Sequence, residues 1–321
     1  RGMKLATYKD GTRDGQLVVV SRDLSTAHYA TGIASRLQQA LDDWGFMAPQ
    51  LQDLYETLNN GKARHAFPFD PALCMAPLPR AYQRLKGQAY ANHATLLGDA
   101  EVDLAVHQAA SDPLLGAQDH VVCANENLGV DFSAEIAVVT GDVALGASAD
   151  DALEGIRLVM LSNDITLRNV GSRVQSQPAT AFSPVAVTLD ELGDAWDNGC
   201  VHLTVQVAWN GRKVGMCDAG TDMTYAFGQL VAHASKTRAL RAGTVVSSGT
   251  VSNAGFEKNG KKEWPKGYSC IAEKRAMEDA LDGKTTTDFM KFGDTVRIEA
   301  KGKDGQSVFG AIDQELAPLN A

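Results

Sequence analysis

An alternation of apolar and polar residues from 201 to 209 limits the folds open to this chain more than any other feature. Successive side chains of a strand point to opposite faces, so this period of two predicts a half-buried β-strand. Asn210-Gly211 follows at once and predicts a tight hairpin turn, because both residues tolerate positive φ. Apolar runs predict further strands at 136–140, 156–162, 245–251, 295–300 and 307–312, and two helices are predicted near 223–240 and 275–281. Because strands outnumber helices without strict alternation, a mixed sheet or β-roll fits better than a doubly wound fold.

The first 76 residues predict a compact α/β segment. A short strand at 17–20 is followed by two stretches with apolar residues at helical spacing, and Gly61 can end the second helix in a left-handed conformation. Four prolines between residues 66 and 80 fix extended backbone and indicate a linker. We therefore predict a small N-terminal α/β domain over 1–76 and a β-rich domain over 77–321.

Composition excludes several classes of protein. A formal net charge of -9 argues against binding to nucleic acid, since such binders usually present a basic face. The five cysteines are widely spaced with no C-x-x-C pair, which suits neither a disulfide framework nor a zinc site and favours a reducing cytoplasm. No apolar run approaches the roughly 20 residues of a membrane span, and no signal segment is evident. P-loop, H-E-x-x-H, G-x-S-x-G and G-x-G-x-x-G motifs are absent from the sequence.

Several ordered motifs in the second part of the chain resemble those of one known family. They are Gly-Val-Asp-Phe-Ser-Ala-Glu-Ile at 129–136, Leu-Ser-Asn-Asp-Ile-Thr-Leu-Arg-Asn at 161–169, Pro-Ala-Thr-Ala-Phe-Ser-Pro at 178–184, Ser-Gly-Thr-Val-Ser-Asn at 248–253 and Phe-Gly-Asp-Thr-Val at 292–296. Together they resemble the fumarylacetoacetase family from about Pro77 onward. The segment from Tyr8 to Pro68 looks like the small N-terminal domain of the family's bacterial members.

This resemblance implies a mixed β-roll domain of the fumarylacetoacetase type that forms a homodimer. It also implies a divalent metal, usually Mg²⁺, Mn²⁺ or Ca²⁺, which acts as a Lewis acid on the oxygens of the substrate. Family members cleave C–C bonds in β-diketo acids, or decarboxylate or isomerise related oxo acids. In the hydrolases, a histidine activates the attacking water.

Two of the metal-binding carboxylates that the family carries are matched, by Glu135 and Asp164. Ser133 stands where the first acid of a Glu-x-Glu strand is expected, and Lys86 stands where an aspartate is expected, seven residues before His93. The ammonium of Lys86 can take roughly the place of the dication and pair with both carboxylates, leaving a summed charge of -1 at these three residues. We therefore expect no tightly bound metal, or one of the three named cations if the family's site persists.

Five further residues are carried over as site candidates. His93 matches the family's base, and Glu273 is predicted to orient it, although a solvated carboxylate at a helix start is an equally good interpretation. Thr250, His107 and Gln177 are predicted to contact substrate, with Gln177 replacing a family lysine. For Thr250 a plain turn among small residues is about equally plausible, and a solvated surface position is the commonest fate of a lysine such as Lys86.

These residues predict a cytoplasmic hydrolase or lyase that cleaves a C–C bond in a small oxo-acid or β-diketone. Lys86 would stabilise an enolate, or form an imine with a ketone if its pKa were depressed. Two alternatives stay open: a catalytically silent or ligand-binding homologue, and a metal-dependent decarboxylase or isomerase. The substrate is not indicated, because the segments that cover the site in relatives are shortened here between His93 and His107 and between Asn169 and Gln175.

Overall fold

Strands dominate the structure, as the sequence predicts. A computed structural model of the chain describes residues 2–99 and 103–320. The first elements are β1 (Lys4–Tyr8), β2 (Gln16–Val20), β3 (Thr26–Tyr29), α1 (Leu37–Asp42), α2 (Trp44–Asn59), β4 (Phe67–Pro68), β5 (Gln83–Gly87), α3 (Ala91–Leu96), β6 (Val106–Gln108), β7 (Leu114–Leu115), β8 (Val121–Cys123) and β9 (Val130–Asp131). The middle of the chain forms β10 (Ala134–Thr140), α4 (Ala149–Glu154), β11 (Ile156–Leu167), α5 (Arg173–Ser176), β12 (Ala179–Phe182), β13 (Ala186–Thr188), α6 (Leu189–Leu192), β14 (Trp196–Asp197) and β15 (Cys200–Val201). The last elements are β16 (Thr204–Trp209), β17 (Arg212–Asp218), α7 (Phe227–Ala234), β18 (Thr244–Ser247), β19 (Phe256–Lys258), β20 (Lys261–Glu263), α8 (Ile271–Asp282), β21 (Thr295–Lys301) and β22 (Ile312–Pro318).

One large mixed sheet contains strands from both predicted domains. Its main path runs β4-β3-β2-β1-β13-β11-β10-β18-β5-β6; β9 and β12 also pair with β11, and β7 pairs with β12. Strand β1 pairs antiparallel with β13, so the first four strands extend the sheet formed by the later part of the chain. Strand β5 pairs in parallel with β18. The mixed, strand-rich fold class is confirmed, whereas the division after residue 76 stays a prediction.

The predicted hairpin lies in a second sheet with the order β17-β16-β21-β22-β8. Asn210 and Gly211 form its turn with φ of 52° and 76°. Side chains alternate across β10: Val138 joins a core shared with Val205 and Ile298 of the second sheet. Val139 faces the opposite way, into a core with residues of α1 and α2. The large sheet is therefore covered on both faces.

Several element bounds differ from the sequence prediction, and three of them have an instructive difference. The strand expected at 307–312 instead begins at Ile312, because Gly310 adopts φ of 73° and interrupts the extended backbone. The long helix expected near 223–240 is reduced to α7, Phe227–Ala234. Helix α8 begins earlier than expected, at Ile271, since the distant Asp131 accepts hydrogen bonds from the Ile271 and Ala272 amides. Among the described residues, no helix is both long and apolar enough to cross a membrane.

Candidate active site

Strand β5 carries two basic residues to one face of the large sheet. Arg84 and Lys86 are two positions apart, so their side chains leave the strand on the same side, while Leu85 packs into the core. Ser247 of β18 lies beside Lys86 in the parallel pairing, and β18 ends there. On β10, Glu135 lies two residues beyond Ala137, which is the partner of Ser247. The basic side chains of β5 can therefore reach Glu135 past the end of β18.

Four charged side chains meet at this point, and we call Arg84, Lys86, Glu135 and Asp164 the central cluster. The ammonium Nζ of Lys86 lies 3.2 Å from Glu135 Oε2 and 2.8 Å from Asp164 Oδ2. Arg84 Nη2 lies 3.6 Å from the same Asp164 oxygen. Both acids and Arg84 are buried, and 16% of the Lys86 side chain is exposed. With Arg84 included, two positive charges face two negative ones, which corrects the predicted sum of -1 to zero.

Hydroxyl groups occupy most of the remaining positions around the two acids. Thr180 donates from Oγ1 to Asp164 Oδ1 at 2.9 Å, and Ser133 donates from Oγ to Glu135 Oε2 at 2.8 Å. The Ser133 hydroxyl also lies 2.6 Å from the Thr250 hydroxyl. Among the described residues, Glu135 Oε1 and Asp164 Oδ2 lack a hydrogen bond, but Asp164 Oδ2 lies at ion-pair distance from Lys86 and Arg84. Three of the four carboxylate oxygens of the cluster are thus engaged by a cation or a hydroxyl.

The pKa directions in the central cluster agree with its ion pairs. Burial alone would lower the pKa of Lys86, but Asp164 and Glu135 outweigh burial and raise it. Burial would raise the pKa of Asp164, but Lys86 and Arg84 outweigh it and lower that pKa. Lys86 is therefore protonated at neutral pH, which argues against the imine route, since an amine must be neutral to attack a carbonyl.

The central cluster does not fit a divalent metal. A hard dication such as Ca²⁺ takes six to eight oxygen ligands, and Mg²⁺ or Mn²⁺ sites are likewise rich in oxygen. Here the ammonium of Lys86 lies between the two carboxylates, and Ser133 supplies a neutral hydroxyl in place of a third acid. One unengaged carboxylate oxygen is too few for such a site.

His93 and Glu273 form a second pair beside the central cluster. His93 lies on α3, and its Nδ1 is 2.6 Å from Oε2 of Glu273, which lies in the first turn of α8. Glu273 is 1% exposed, so it is not the solvated helix-start carboxylate that was the alternative interpretation. Cys270 is close enough that its sulfur, a His93 nitrogen and a Glu273 oxygen all lie within 4.8 Å of one another. Burial raises the pKa of the Cys270 thiol, which keeps it protonated.

A cavity of about 320 Å³ opens beside these residues. The candidates Lys86, His93, His107, Gln177 and Thr250 all line it. Arg168 and Arg173 add two guanidinium groups to the wall, and Asp99 adds a carboxylate. Three cationic groups and one carboxylate of the described lining therefore face the cavity, and Lys86 and Arg168 are also paired with buried acids behind it. The catalytic and binding roles of these residues stay predictions.

Two rim residues of the cavity contact each other. Arg173 of α5 lies 3.3 Å, Nη1 to Nδ1, from His107 of β6. Burial, followed by the charges of Arg173 and Lys86, lowers the pKa of His107, so this ring is neutral near pH 7. Residues 100–102, in the shortened segment between His93 and His107, lie outside the described residues.

Close backbone packing shapes one wall of the cavity. Gly249 adopts φ of 78°, and a Cβ there would lie 2.5 Å from the carbonyl oxygen of Gly87. The amide of Ala89 donates to the Ser248 carbonyl at 2.9 Å and holds the two segments together. A side chain at position 249 would therefore clash with the backbone of Gly87, the residue after Lys86. Thr250 is thereby placed in the wall rather than in an open turn.

A further buried acid, Asp131, joins the start of α8 to the cavity wall. Asp131 accepts hydrogen bonds from the Ile271 amide at 2.7 Å and the Ala272 amide at 3.0 Å. Arg168 donates from Nε to the same carboxylate at 3.0 Å. We call Asp131, Arg168 and the first amides of α8 the helix-start cluster. It fixes the helix that carries Glu273, and sequence reasoning missed it.

Sequence reasoning also missed Arg84, which the structure places at the centre of the site. A signal was available, because Arg84 precedes Lys86 by two residues in a strand and must therefore share its face. The signal for Asp131 was weaker, since its partners at 271 and 272 are 140 residues or more along the chain.

Comparisons with known proteins agree with this architecture. The model of the domain described as fumarylacetoacetase N-terminal domain 2 matches residues 3–80, and that of the fumarylacetoacetate hydrolase C-terminal domain matches residues 85–316. An oxaloacetate tautomerase from Bacillus subtilis (strain 168) is 25% identical over 194 residues, which cover 56% of this chain and 62% of that protein. A 2,4-didehydro-3-deoxy-L-rhamnonate hydrolase from Sphingomonas sp. (strain SKA58) is 30% identical over 161 residues, covering 48% of this chain and 53% of that protein. The matched part of this chain therefore spans only between half and two thirds of the length of these relatives.

A solved structure is similar over nearly the whole chain. It is the maleylpyruvate hydrolase of Sphingobium sp. SYK-6 in complex with a manganese(II) ion and pyruvate. Its TM-score is 0.67 at 15% sequence identity, covering 98% of this chain and 99% of that one. At this identity the likeness shows a shared fold.

Proposed function

The chain belongs to the fumarylacetoacetate hydrolase family, and from this we propose that it hydrolyses a C–C bond in a small oxo-acid or β-diketone. The observation that carries the proposal is the convergence of an oriented histidine and a buried cation on one cavity: His93 with Glu273, and Lys86 with its two acids. These are the base and the electrophilic group that such a reaction needs.

The hydrogen bond to Glu273 supports a role for His93 as the base. A carboxylate at Nδ1 holds the ring proton on that nitrogen, so Nε2 has its lone pair available as a base. His93 lines the cavity, where a water between Nε2 and the substrate can lose a proton to the ring. Glu273 is a positioning residue in this scheme, and it also stabilises the imidazolium that forms.

The bond changes balance with one water molecule. The water oxygen adds to a substrate carbonyl carbon as His93 takes its proton. The adjacent C–C bond then breaks, and its electron pair passes to the leaving fragment as an enolate. The Lys86 ammonium, whose raised pKa keeps it charged, stabilises the enolate oxygen. The imidazolium of His93 returns a proton to the enolate carbon, giving a carboxylic acid and a ketone.

The cavity wall supports an anionic substrate. Lys86, Arg168 and Arg173 line it, against the single carboxylate of Asp99 among the described lining residues. A pyruvyl carboxylate would meet a guanidinium group in geometry that favours paired hydrogen bonds. Thr250 and Gln177 supply neutral polar groups to the same wall.

A second candidate uses the same residues without water. A base beside an enolate-stabilising cation also suits proton transfer at a carbon next to a carbonyl, which is keto–enol tautomerisation or isomerisation. One relative named above is an oxaloacetate tautomerase.

A substrate panel tests these proposals. Acylpyruvates, β-diketones and oxaloacetate are incubated with the full chain, with and without EDTA, and products are identified by NMR. We expect cleavage that EDTA leaves unchanged, and a loss of about 10²–10⁴-fold in rate for His93→Gln. Lys213→Met, at an exposed position on β17, is the control for a change of side chain alone.

Each other outcome selects a different function. Enolisation without cleavage would support the tautomerase, and loss of activity with EDTA would support a metal-dependent enzyme. Absence of turnover across the panel, with His93→Gln indistinguishable from wild type, would leave the silent or ligand-binding homologue.

A further inference from the structure

We propose that Arg84 and Lys86 act together as a built-in dication, which replaces the charge of a divalent metal and keeps Glu135 and Asp164 from binding one. The inference concerns metal binding, so it holds or fails independently of the reaction that the cavity supports. It assigns a positioning role to Arg84, a residue that the proposed mechanism does not use.

The charges of the central cluster carry the first step. The two basic side chains supply two positive charges, the same as a divalent ion, and the two acids supply two negative charges. Ser133 is neutral, so no third acid is left without a cation. A metal added to this cluster would leave an excess of two positive charges among buried groups, which is strongly unfavourable.

Arg84 is the fully buried member of the pair, and several hydrogen bonds hold it in place. Its guanidinium donates to the Leu85 carbonyl at 3.1 Å, the Ser247 hydroxyl at 3.0 Å and the Thr180 hydroxyl at 3.2 Å. It also lies over the ring of Phe182, with Cζ 5.8 Å from the ring centroid. Because a guanidinium presents its donors in a rigid planar fork, these contacts hold the positive charge of Arg84 in one position.

Lys86 is the half that meets the cavity. The Nζ of Lys86 contacts both acids, whereas Arg84 contacts only Asp164. The Lys86 side chain is partly exposed, and that of Arg84 is fully buried. The two residues are linked through Asp164, because both face its Oδ2. Thr180 joins them too, since it accepts from Arg84 and donates to Asp164. Arg84 thus holds Asp164 in place for Lys86.

Manganese binding tests the pair directly. The EPR signal of free Mn²⁺ is recorded as purified protein is added, for wild type, Arg84→Met, Lys86→Met and the double variant. Methionine is neutral and of similar length, so it removes charge with little change in volume. We expect wild type to leave the signal unchanged, and the double variant to bind Mn²⁺ at least about tenfold tighter than either single variant. Lys62→Met/Arg64→Met, with the same spacing at exposed positions, is the matched control and should resemble wild type.

Three results would overturn the inference. One is stoichiometric Mn²⁺ binding by wild type. Another is that Lys86→Met binds Mn²⁺ as tightly as the double variant does, which would mean that Arg84 does not help to exclude the metal. The third is a folded double variant that binds no Mn²⁺, which would mean that the acids cannot hold a metal even when both cations are gone.

A charge-balanced variant decides the matter if the double variant does not fold. Arg84→Met alone leaves an excess acid, and Arg84→Met/Asp164→Asn restores neutrality. We expect the second substitution to recover most of the urea midpoint lost through the first. Additive losses in this cycle would show that Arg84 is not coupled to the acid and would reject the pairing.

Discussion

The central cluster and the helix-start cluster both pair buried carboxylates with basic side chains, but the pKa of the acid shifts in opposite directions in the two clusters. The central cluster buries two carboxylates against two basic side chains and the helix-start cluster buries one against one, yet the pKa of Asp164 is lowered and that of Asp131 is raised. Two cations face Asp164, whereas burial at Asp131 outweighs a single guanidinium and two backbone amides. The carboxylate oxygens of Asp131 accept hydrogen bonds from the first amides of α8. Burial alone therefore does not set the pKa of a buried acid; the charges and donors that face it decide the direction of the shift.

The largest effect that separates the two clusters is expected on activity. Lys86→Met removes the cation that faces the cavity, and we expect kcat/KM on the cleaved substrate to fall by about 10²–10³, or about 3–4 kcal/mol. Arg168→Met, which removes a cation from the helix-start cluster, should lower kcat/KM less and raise KM more, because we propose that Arg168 binds the substrate and takes no part in stabilising the enolate. Equal losses of kcat in both variants would break the distinction.

The next largest effect is expected on stability. Asp131→Asn replaces one accepting oxygen with a donor, so an α8 amide or the Arg168 guanidinium loses its acceptor, and we expect a loss of about 2 kcal/mol in the free energy of unfolding. Urea unfolding followed by circular dichroism measures this loss. Asp313→Asn, at an exposed ion pair with Arg297, is the control and should change stability by less than about 1 kcal/mol. A change at Asp131 no larger than this control would show that α8 does not depend on it.

A smaller effect tests the hydroxyl that joins Arg84 to Asp164. Thr180→Val keeps the shape of the side chain but removes its hydrogen bonds to both residues. We expect a loss of about 1–2 kcal/mol in unfolding free energy, together with a measurable fall in kcat. A loss of stability without any change in kcat would place Thr180 outside the active site.

The smallest effect is expected in the pH dependence, where the two acids should have opposite signs. Asp164 has a folded pKa below its ordinary value of 3.8, so its contribution to stability is present above that value and is lost as the pH falls toward the folded pKa. Asp131 has a raised folded pKa, so its ionisation costs stability as the pH rises through the window above 3.8. Urea unfolding of wild type, Asp164→Asn and Asp131→Asn between pH 3 and 7 measures both. Differences from wild type that change in the same direction would contradict the cluster assignments.

The sequence predicts one part of this site well and another part poorly, for physical reasons. Glu135, Asp164 and Lys86 could be placed together because the resemblance aligns Glu135 and Asp164 with the family's carboxylates and puts Lys86 where an aspartate of the same site is expected. Arg84 carried the signal of strand spacing, two residues before Lys86, but a buried arginine is rare enough that the pattern alone favoured a surface position. The early start of α8 depends on Asp131 from a distant strand, which no local pattern reveals.

The rim of the cavity was the least predictable part. Helix α5 is a single turn, and Val174 within it is 89% exposed, so no core fixes its sequence pattern. The contact between Arg173 and His107 joins two segments that neither alternation nor helical spacing describes. Because the rim also contributes Gln177, its sequence is what would select a substrate.

The pairing of β1 with β13 has a practical meaning for anyone who shortens this chain. A fragment beginning at residue 77 would lose β1 and leave the backbone groups of Ala186 and Val187 on that side with no neighbour. The exposed edge of β13 could then pair with a strand of another molecule, so we expect the fragment to self-associate. Removing the N-terminal segment would therefore create an aggregation-prone sheet edge where the intact molecule has a continuous sheet.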